Sequence, residues 1–217
     1  MSARKRVAIL ISGRGSNMTS LIAAAAAPDF PAEIVLVLSN RPEAAGLATA
    51  RDRGIEALAL DHKAFANRED FERALQTALD ARRIELVCLA GFMRQLTPWF
   101  VALWRDRMIN IHPALLPAYK GLHTHERALA DGVKIHGCTA HFVVPEMDAG
   151  PIIAQAAVPV LDDDTPETLG ARVLAQEHAI YPLALRLVAS GAARIEGGRV
   201  FGGGGNAGAS LASPVTG

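Results

Sequence analysis

The sequence predicts an α/β protein built around a doubly wound, mostly parallel sheet. Short apolar runs alternate with stretches of helical character, which is typical of βαβ units. Most of these runs are continuous rather than alternating, as expected for strands buried on both faces of a parallel sheet. After Gly132, strand-like segments follow one another without long helices between them. The expected architecture is therefore Rossmann-like, with antiparallel strands in the C-terminal half.

The first half of the chain contains five predicted strands separated by helices. In order, the strands are RVAILIS (6–12), EIVLVLS (33–39), ALAL (57–60), IELVCLA (84–90) and MINIH (108–112). The helices predicted between them span Asn17–Ala27, Glu43–Arg53, Arg68–Arg83 and about Pro98–Trp104. Each helix thus connects two strands of the expected parallel sheet.

The second half is expected to pair its strands locally. The segment KIHGCTAHFVVPEMDAGPIIAQAAVPV supplies these strands, and a long helix follows from about Pro166 to Ser190. ARIEGGRVF predicts a hairpin around Gly197-Gly198. We expect one domain over residues 1–201, with an N-terminal half to about 105 and a C-terminal half from about 106. The Gly/Ala/Ser-rich tail, 202–217, is predicted to be disordered.

The composition argues against several partners. Lys plus Arg and Asp plus Glu both number 22, so no net charge would attract nucleic acid or an acidic membrane. The apolar run Val7–Ile11 is shorter than the roughly 7–15 residues of a signal-peptide core, and no run approaches the ~20 residues of a membrane span. Cys88 and Cys138 are too few for a disulfide framework. We expect a cytoplasmic protein, either monomer or homodimer, without nucleic-acid or membrane partners.

The motif ISGRGSN follows the first strand and opens the first helix. Gly13 and Gly15 permit a tight turn, while Ser16, Asn17 and the helix N-terminus present N–H groups that suit a phosphate. An ordinary glycine-rich βα turn is the alternative. The motif is not a Walker motif, because no Lys-Ser/Thr follows, and it lacks the third glycine of the dinucleotide fingerprint. The second strand ends in LSNRP, which has no acidic residue to bind a ribose hydroxyl. A phosphate ligand is therefore favoured over NAD, and only Arg41 keeps an NADP interpretation open.

Polar side chains end the fifth strand. Asn110 and His112 are two residues apart and point to the same side of the strand, where a polar pair suits a cleft better than a core. Asp148 precedes Gly150-Pro151 in a predicted turn. If that turn folds over His112, an amide, an imidazole and a carboxylate come together, and the carboxylate favours the charged imidazole. A structural histidine and a turn-forming aspartate are the alternatives.

LAGFMRQLTP follows the fourth strand, and loops after the carboxyl ends of such strands line the ligand crevice. Phe92, Met93 and Leu96 would form an apolar wall, with Arg94 as an anion contact or, alternatively, as a solvated side chain. The HxH pair at 123–125 has no second ligand pair at zinc-like spacing, so a metal site is disfavoured.

Six motifs together resemble those of the phosphoribosylglycinamide formyltransferase family, the folate-dependent transformylases of purine synthesis. They are SGRGSN, LAGFMR, NIHPALLPAYKGLHTHERAL, HGCTAHFV, MDAGPII and AQEHAIYP, and the resemblance covers about residues 6–190. NIHPALLPAYKG with a downstream DAGP marks the wider superfamily that uses formyltetrahydrofolate. SGRGSN narrows the resemblance to this branch and the related formyltetrahydrofolate hydrolases. The chain differs at Ala149, where Gly is also common, and in its Gly-rich tail.

The resemblance implies direct formyl transfer from 10-formyltetrahydrofolate, as co-substrate, to the amine of glycinamide ribonucleotide, without a metal. It implies a catalytic trio in which Asn110 and protonated His112 donate to the oxyanion and Asp148 keeps His112 protonated. The other implied contacts are Gly15, Ser16 and Asn17 for the phosphate, Glu177 for the ribonucleotide, and Arg68, Met93, Arg94, Gln95, Leu96, Asn110, Val144, Pro145, Glu146, Met147 and Asp148 for the folate. Arg68 and Glu177 rest on the resemblance alone, since each looks like helix surface.

Four other functions compete with this interpretation. Formyltetrahydrofolate hydrolase, in which water replaces the amine, is the nearest, but its members carry an additional N-terminal regulatory domain, whereas here the first strand starts at Arg6. Methionyl-tRNA formyltransferase would need a C-terminal RNA-binding domain and a basic surface. LSNRP opposes an NADP-binding oxidoreductase. The set Asn110, His112 and Asp148 opposes a non-catalytic nucleotide-binding module.

Overall fold

The computed structural model describes residues 4–202 and 213. Its strands are β1 (Lys5–Ile11), β2 (Ala32–Ser39), β3 (Glu56–Ala59), β4 (Leu86–Leu89), β5 (Met108–His112), β6 (Ile135–Phe142), β7 (Ile152–Pro159), β8 (Arg194–Glu196) and β9 (Arg199–Phe201). Its helices are α1 (Ser16–Ala25), α2 (Ala45–Asp52), α3 (Arg68–Asp80), α4 (Pro98–Leu103), α5 (Thr124–Ala130) and α6 (Pro166–Ala189), with a 3-10 turn at His62–Ala64. Apart from Gly202 and Ser213, the tail predicted to be disordered lies outside the described residues.

Seven of the strands form one sheet in the order β3-β2-β1-β4-β5-β6-β7. The first five pair in parallel, while β6 and β7 add two antiparallel strands at one edge. This topology confirms the predicted fold class, including the antiparallel pairing in the C-terminal half. The strand order reverses between β1 and β4, and the crevice at such a switch point is the usual ligand site of an open α/β sheet.

Both faces of the sheet are covered, which explains the continuous apolar runs. On β1, Val7, Ile9 and Ile11 pack into a core shared with α1, α2 and α6. The alternate residues Ala8 and Leu10 pack into a second core with α3 and α4. A strand whose two faces are both buried has no polar face to show in its sequence.

The predicted elements agree with the structure apart from their ends. β5 has the predicted bounds, and β8 and β9 form the predicted hairpin around Gly197-Gly198. The HxH pair at 123–125 lies at the start of α5. His123 caps α5 with a left-handed backbone, at φ 56°, while His125 lies inside the helix. A histidine adapts to either position, so its identity does not mark the boundary.

Helix α6 contacts both β4 and β5 through one buried side chain. It starts at a capping box formed by Thr165 and Thr168. Further along, the buried hydroxyl of Tyr181 lies 2.9 Å from the carbonyl of Leu89 and 3.1 Å from that of Ile109, on β4 and β5. These contacts hold β5 in place one residue before Asn110.

The two cysteines are buried and not bonded to each other. Burial raises the pKa of the Cys88 and Cys138 thiols to about 12, so both remain protonated at neutral pH. Both cysteines therefore serve as small buried hydrophobic side chains. Among residues 4–202 and 213, no helix combines the length and apolar character that crossing a lipid bilayer requires.

Candidate active site

A cavity of about 780 Å³ opens at the carboxyl ends of β4 and β5, beside the start of α1. Most of the predicted site residues line it, namely Asn17, Met93, Arg94, Gln95, Leu96, Asn110, His112, Val144, Pro145, Glu146, Met147, Asp148 and Glu177. Three predicted residues do not line it. Gly15 and Ser16 lie at the start of α1 next to Asn17, and Arg68 is exposed in the first turn of α3.

The β6–β7 loop brings Asp148 over His112, so the predicted turn does meet the strand end. His112 Nδ1 lies 3.4 Å from Asp148 Oδ2, and both side chains are nearly buried. Asp148 has a left-handed backbone, at φ 50°, and its Oδ2 accepts a hydrogen bond of 2.8 Å from the Gly121 N–H. A Cβ at Gly150 would lie 1.7 Å from the Phe142 carbonyl oxygen, so only glycine fits where the loop closes.

Strand register orients the amide of Asn110. Asn110 lies opposite His141 in the antiparallel pair of β5 and β6. His141 Nδ1 donates to the Phe142 carbonyl at 2.8 Å, which leaves Nε2 to accept from the Asn110 amide at 3.3 Å. Burial lowers the pKa of His141, which keeps this imidazole neutral at pH 7 and able to accept. The Asn110 amide retains a second N–H for a ligand.

His112 is held on both sides of its ring. Its Nε2 donates to the Tyr119 carbonyl at 2.9 Å, while Nδ1 faces Asp148. A substrate oxygen that takes a proton or a hydrogen bond from Nε2 must therefore displace the Tyr119 carbonyl. Tyr119 lies in the loop before α5 and has a left-handed backbone, at φ 54°.

The turn before α1 has the geometry of an anion site. Gly15, at φ 73°, is the residue before the helix, and among the described residues no side chain caps the first turn. The turn packs against α2, where the Gly46 N–H donates to the Gly13 carbonyl at 3.1 Å. A Cβ at Gly46 would lie 2.5 Å from Ile11 Cδ1, so this close approach needs glycine. The uncapped N–H groups and the helix dipole favour a bound anion.

Asn17 and Glu177 form a buried polar pair beside this turn. Asn17 Nδ2 donates to Glu177 Oε2 at 2.6 Å, joining the start of α1 to α6. Burial raises the pKa of Glu177 above its ordinary value, and the Asn17 amide offsets part of that effect. Among residues 4–202, the buried Oδ1 of Asn17 has no hydrogen-bond partner. Asn17 Oδ1 is therefore an acceptor without a partner among the described residues, on a residue that lines the cavity.

The opposite side of the cavity is apolar and open. Met93, Leu122 and Met147 line it and remain 61%, 64% and 58% exposed. Leu96 is buried beneath them, and the Arg94 guanidinium stacks 5.1 Å from the centre of the Phe71 ring. Exposed apolar side chains grouped in one cleft mark a site for an apolar or aromatic ligand.

Two contributors to the site were not predicted from the sequence. One is His141, although HGCTAHFV has polar residues alternating with apolar ones near the end of a strand, which is a usable signal. The Tyr119 carbonyl is a backbone group and has no sequence signal. Among the described residues, no group of three or more His, Cys, Asp or Glu side chains is arranged to hold a metal ion.

The grouped side chains suit acyl-group transfer. The amide can stabilise an oxyanion, and the imidazole and carboxylate can move protons. Residues 5–185 match the family described as formyl transferase. The chain belongs to the formyl transferase family, and the resemblance seen in its motifs is confirmed.

Relatives of known name cover most of the chain. It is 50% identical over 198 residues to the trifunctional purine biosynthetic protein adenosine-3 of Bos taurus, a match that covers 91% of this chain and 20% of that protein. The chain thus spans about a fifth of that relative's length. It is 45% identical over 185 residues to the phosphoribosylglycinamide formyltransferase of Escherichia coli K12, covering 85% of this chain and 87% of the relative.

A solved structure shares the fold. Glycinamide ribonucleotide transformylase 1 from Symbiobacterium toebii superimposes with a TM-score of 0.90 at 45% sequence identity. The superposition covers 93% of this chain and 95% of that one. The mostly parallel sheet and its antiparallel edge are therefore those of a known transformylase structure.

Proposed function

We propose that the chain transfers the formyl group of 10-formyltetrahydrofolate to the amine of glycinamide ribonucleotide, giving formylglycinamide ribonucleotide and tetrahydrofolate. The observation that carries this proposal is the meeting of Asn110, His112 and Asp148 in one cavity, between an anion site and an apolar cleft. The two flanking surfaces match the two substrates in chemical character. A phosphorylated sugar suits one side, and a flat, largely apolar pteridine suits the other.

The ribonucleotide would bind at the start of α1. Its phosphate fits the uncapped N–H groups of Gly15, Ser16 and Asn17. Asn17 Oδ1 and the Glu177 carboxylate are acceptors for ribose hydroxyls or for the amine. The amine would then lie near the trio, because Asn17 and Glu177 line the same cavity as His112.

The folate would bind in the apolar cleft. Residues 93–96 form one wall and residues 144–148 the other. Arg68, exposed at the start of α3, is assigned to the glutamate end of the folate, where a cation outside the cavity would meet a carboxylate that extends towards solvent.

The chemistry follows from the hydrogen-bonding groups of the trio. The neutral amine attacks the formyl carbon, a C–N bond forms, and the carbonyl oxygen becomes an oxyanion. The second amide N–H of Asn110 donates to that oxyanion, and His112 Nε2–H does so once it leaves the Tyr119 carbonyl. The bond to the folate nitrogen then breaks. That nitrogen gains one proton, and the amine loses one, through His112 and Asp148.

The hydrolase remains the alternative, because water in place of the amine would use the same trio. One assay separates the two functions. We expect tetrahydrofolate release from 10-formyltetrahydrofolate to require glycinamide ribonucleotide, with one formylated ribonucleotide formed per tetrahydrofolate. Release of tetrahydrofolate and formate at the same rate without the ribonucleotide would contradict the transferase and indicate the hydrolase.

We also propose that the enzyme works in the cytoplasm, without a metal, nucleic acid or membrane partner, as a monomer or homodimer. Two buried cysteines that are not bonded to each other support a reducing location. Full activity after extensive dialysis against a chelator is the expected result for a metal-independent enzyme. Activity that is lost on dialysis and restored by a divalent cation would contradict that part of the proposal.

A further inference from the structure

The wall formed by residues 92–96 has few backbone contacts of its own. Among the described residues, no backbone-to-backbone hydrogen bond involves any residue from 92 to 96. The last such bonds before it, from Ser12 N to Gly91 O and from Ala90 N to Leu10 O, extend the pairing of β1 and β4. A segment without backbone pairing keeps its shape only if other groups hold it.

The start of the wall is held by the side chain of Ser12. Its Oγ accepts from the Met93 N–H at 2.8 Å and donates to Asn40 Oδ1 at 2.5 Å. Ser12 is the first residue after β1 and is 4% exposed, so this link is shielded from water. Ser12 directly precedes the Gly13–Asn17 turn, so this one residue connects the anion site at the start of α1 to the 92–96 wall.

The end of the wall is held by the side chain of Glu72 on α3. Its side chain is fully buried, and Oε1 accepts from the Thr97 N–H at 2.8 Å while Oε2 accepts from the Thr97 hydroxyl. Thr97 in turn caps α4 by accepting from the Phe100 N–H. Among the described ion pairs none involves Glu72.

A buried carboxylate without a cation is costly, and an apolar residue of similar size is often at least as stable at such a site. The stability of the core alone therefore does not explain why a glutamate, rather than an apolar residue, contacts Thr97. Charge-assisted hydrogen bonds are roughly twice as strong as neutral ones, so this end of the wall is fixed more firmly than the Ser12 end.

We propose that Ser12 and Glu72 are positioning residues that hold the 92–96 wall in the shape that binds the folate. Neither side chain is assigned a contact with either substrate; Ser12 acts through the Met93 N–H, and Glu72 through the N–H and hydroxyl of Thr97. The inference rests on the proposed function only for the identity of the ligand. The clamping of the wall is a statement about the chain itself.

Three variants test the two clamps. Ser12→Ala removes the acceptor for the Met93 N–H. Glu72→Gln keeps an oxygen for the Thr97 N–H but loses the charge, and Glu72→Ala removes both contacts. We expect the Kd of 10-formylfolate, an oxidised analogue of the co-substrate, to rise about tenfold for Ser12→Ala and for Glu72→Gln, and further for Glu72→Ala. The Kd of glycinamide ribonucleotide should change less than about twofold.

Two controls break comparable hydrogen bonds elsewhere. Ser39→Ala removes a buried serine at the end of β2 whose hydroxyl contacts Arg41, and Gln76→Leu removes the contact of α3 with the Trp104 indole. Both should lower the melting temperature as the test variants do, without changing the affinity for 10-formylfolate. A merely structural role for Ser12 and Glu72 predicts the same result for all five variants, and that result would overturn the proposal.

Hydrogen exchange separates this inference from the proposed function. The Met93 amide in Ser12→Ala and the Thr97 amide in Glu72→Ala should each exchange at least about tenfold faster than in the controls. If the wild type binds no 10-formylfolate but this exchange difference is found, the assignment of the ligand is wrong and the clamping is right. Equal exchange in test and control variants shows that the wall is not held by these side chains.

Discussion

Asp148→Asn is the most direct test of the catalytic trio, because it removes a charge and nearly preserves size. Asp148 Oδ2 lies 3.4 Å from His112 Nδ1 and accepts from the Gly121 N–H. An asparagine oxygen can still accept from Gly121, so we expect the loop to keep its position. What is lost is the negative charge beside His112, and with it the attraction that would stabilise positive charge developing on the imidazole during proton transfer.

The size of the effect follows from the geometry. Two unit charges 3.4 Å apart attract by about 5 kcal/mol at an effective dielectric constant of about 20. The two side chains are only 6% and 11% exposed, so the cost of removing them from water offsets part of this attraction. A net loss of about 2–4 kcal/mol corresponds to a decrease in kcat of about 30-fold to 1,000-fold.

The assay is the steady-state rate of tetrahydrofolate release with both substrates varied. We expect kcat to fall while the KM of each substrate changes by less than about threefold, since Asp148 is assigned to proton transfer more than to binding. Asp162→Asn is the matched control, because it removes a carboxylate that pairs with Lys134 away from the cavity. A kcat for Asp148→Asn within threefold of this control would refute the electrostatic role and leave Asp148 as a turn-forming residue.

Three further changes test the substrate contacts and the stability of the fold. Gly15→Val should raise the KM of glycinamide ribonucleotide about tenfold or more and that of the folate much less, because a β-branched residue is strained at φ 73°; equal effects would oppose a dedicated phosphate turn. Arg68→Ala should weaken 10-formylfolate binding a few-fold in calorimetry and leave the ribonucleotide unaffected, and unchanged folate affinity would remove Arg68 from the site. Asp164→Asn should lower the free energy of unfolding at pH 7 by about 2 kcal/mol, because Asp164 bonds Arg172 through both oxygens. Arg172 holds the pKa of Asp164 well below its usual range, so this stabilisation is present above about pH 4 and is lost as the pH falls. Urea melts should therefore show a smaller difference in unfolding free energy between the wild type and Asp164→Asn at pH 3 than at pH 7. An equal difference at the two pH values would contradict the assignment.

The sequence predicted the scaffold well because local signals determine it. Continuous apolar runs located the strands, and β5 was predicted to the residue because a Pro follows it and a polar pair ends it. Helix ends were less accurate. Helix α3 was expected to reach Arg83 but ends at Asp80, where a turn leads into Arg83 at φ 51°. Such ends depend on the packing of the last turn rather than on residue type.

The site was only partly predictable, because much of it depends on contacts between distant segments. The spacing of Asn110 and His112 placed both on one face of a strand, and that inference needed no relative. The sequence offered the Asp148 turn as a partner of His112 but nothing local showed that the two would meet, and Glu177 was selected by the resemblance to a family alone. The roles of Ser12 and Glu72 could not be predicted for another reason, since each accepts from a backbone N–H that almost any residue supplies.

The trio is assembled by two mechanisms that respond differently to change. Asn110 and its partner His141 face each other across β5 and β6, so the direction of the amide is fixed by strand register. A slip of one residue would place Ala140 or Phe142 opposite Asn110 and turn the polar set to the other face. Asp148 instead arrives on a loop, held through Gly121 in another loop. The proposed oxyanion donor, Asn110, is thus built into the sheet, whereas Asp148 and the Tyr119 carbonyl that accepts from His112 Nε2 lie on loops outside it. Binding of substrate is therefore expected to rearrange the loops around His112 and to leave Asn110 where the sheet holds it.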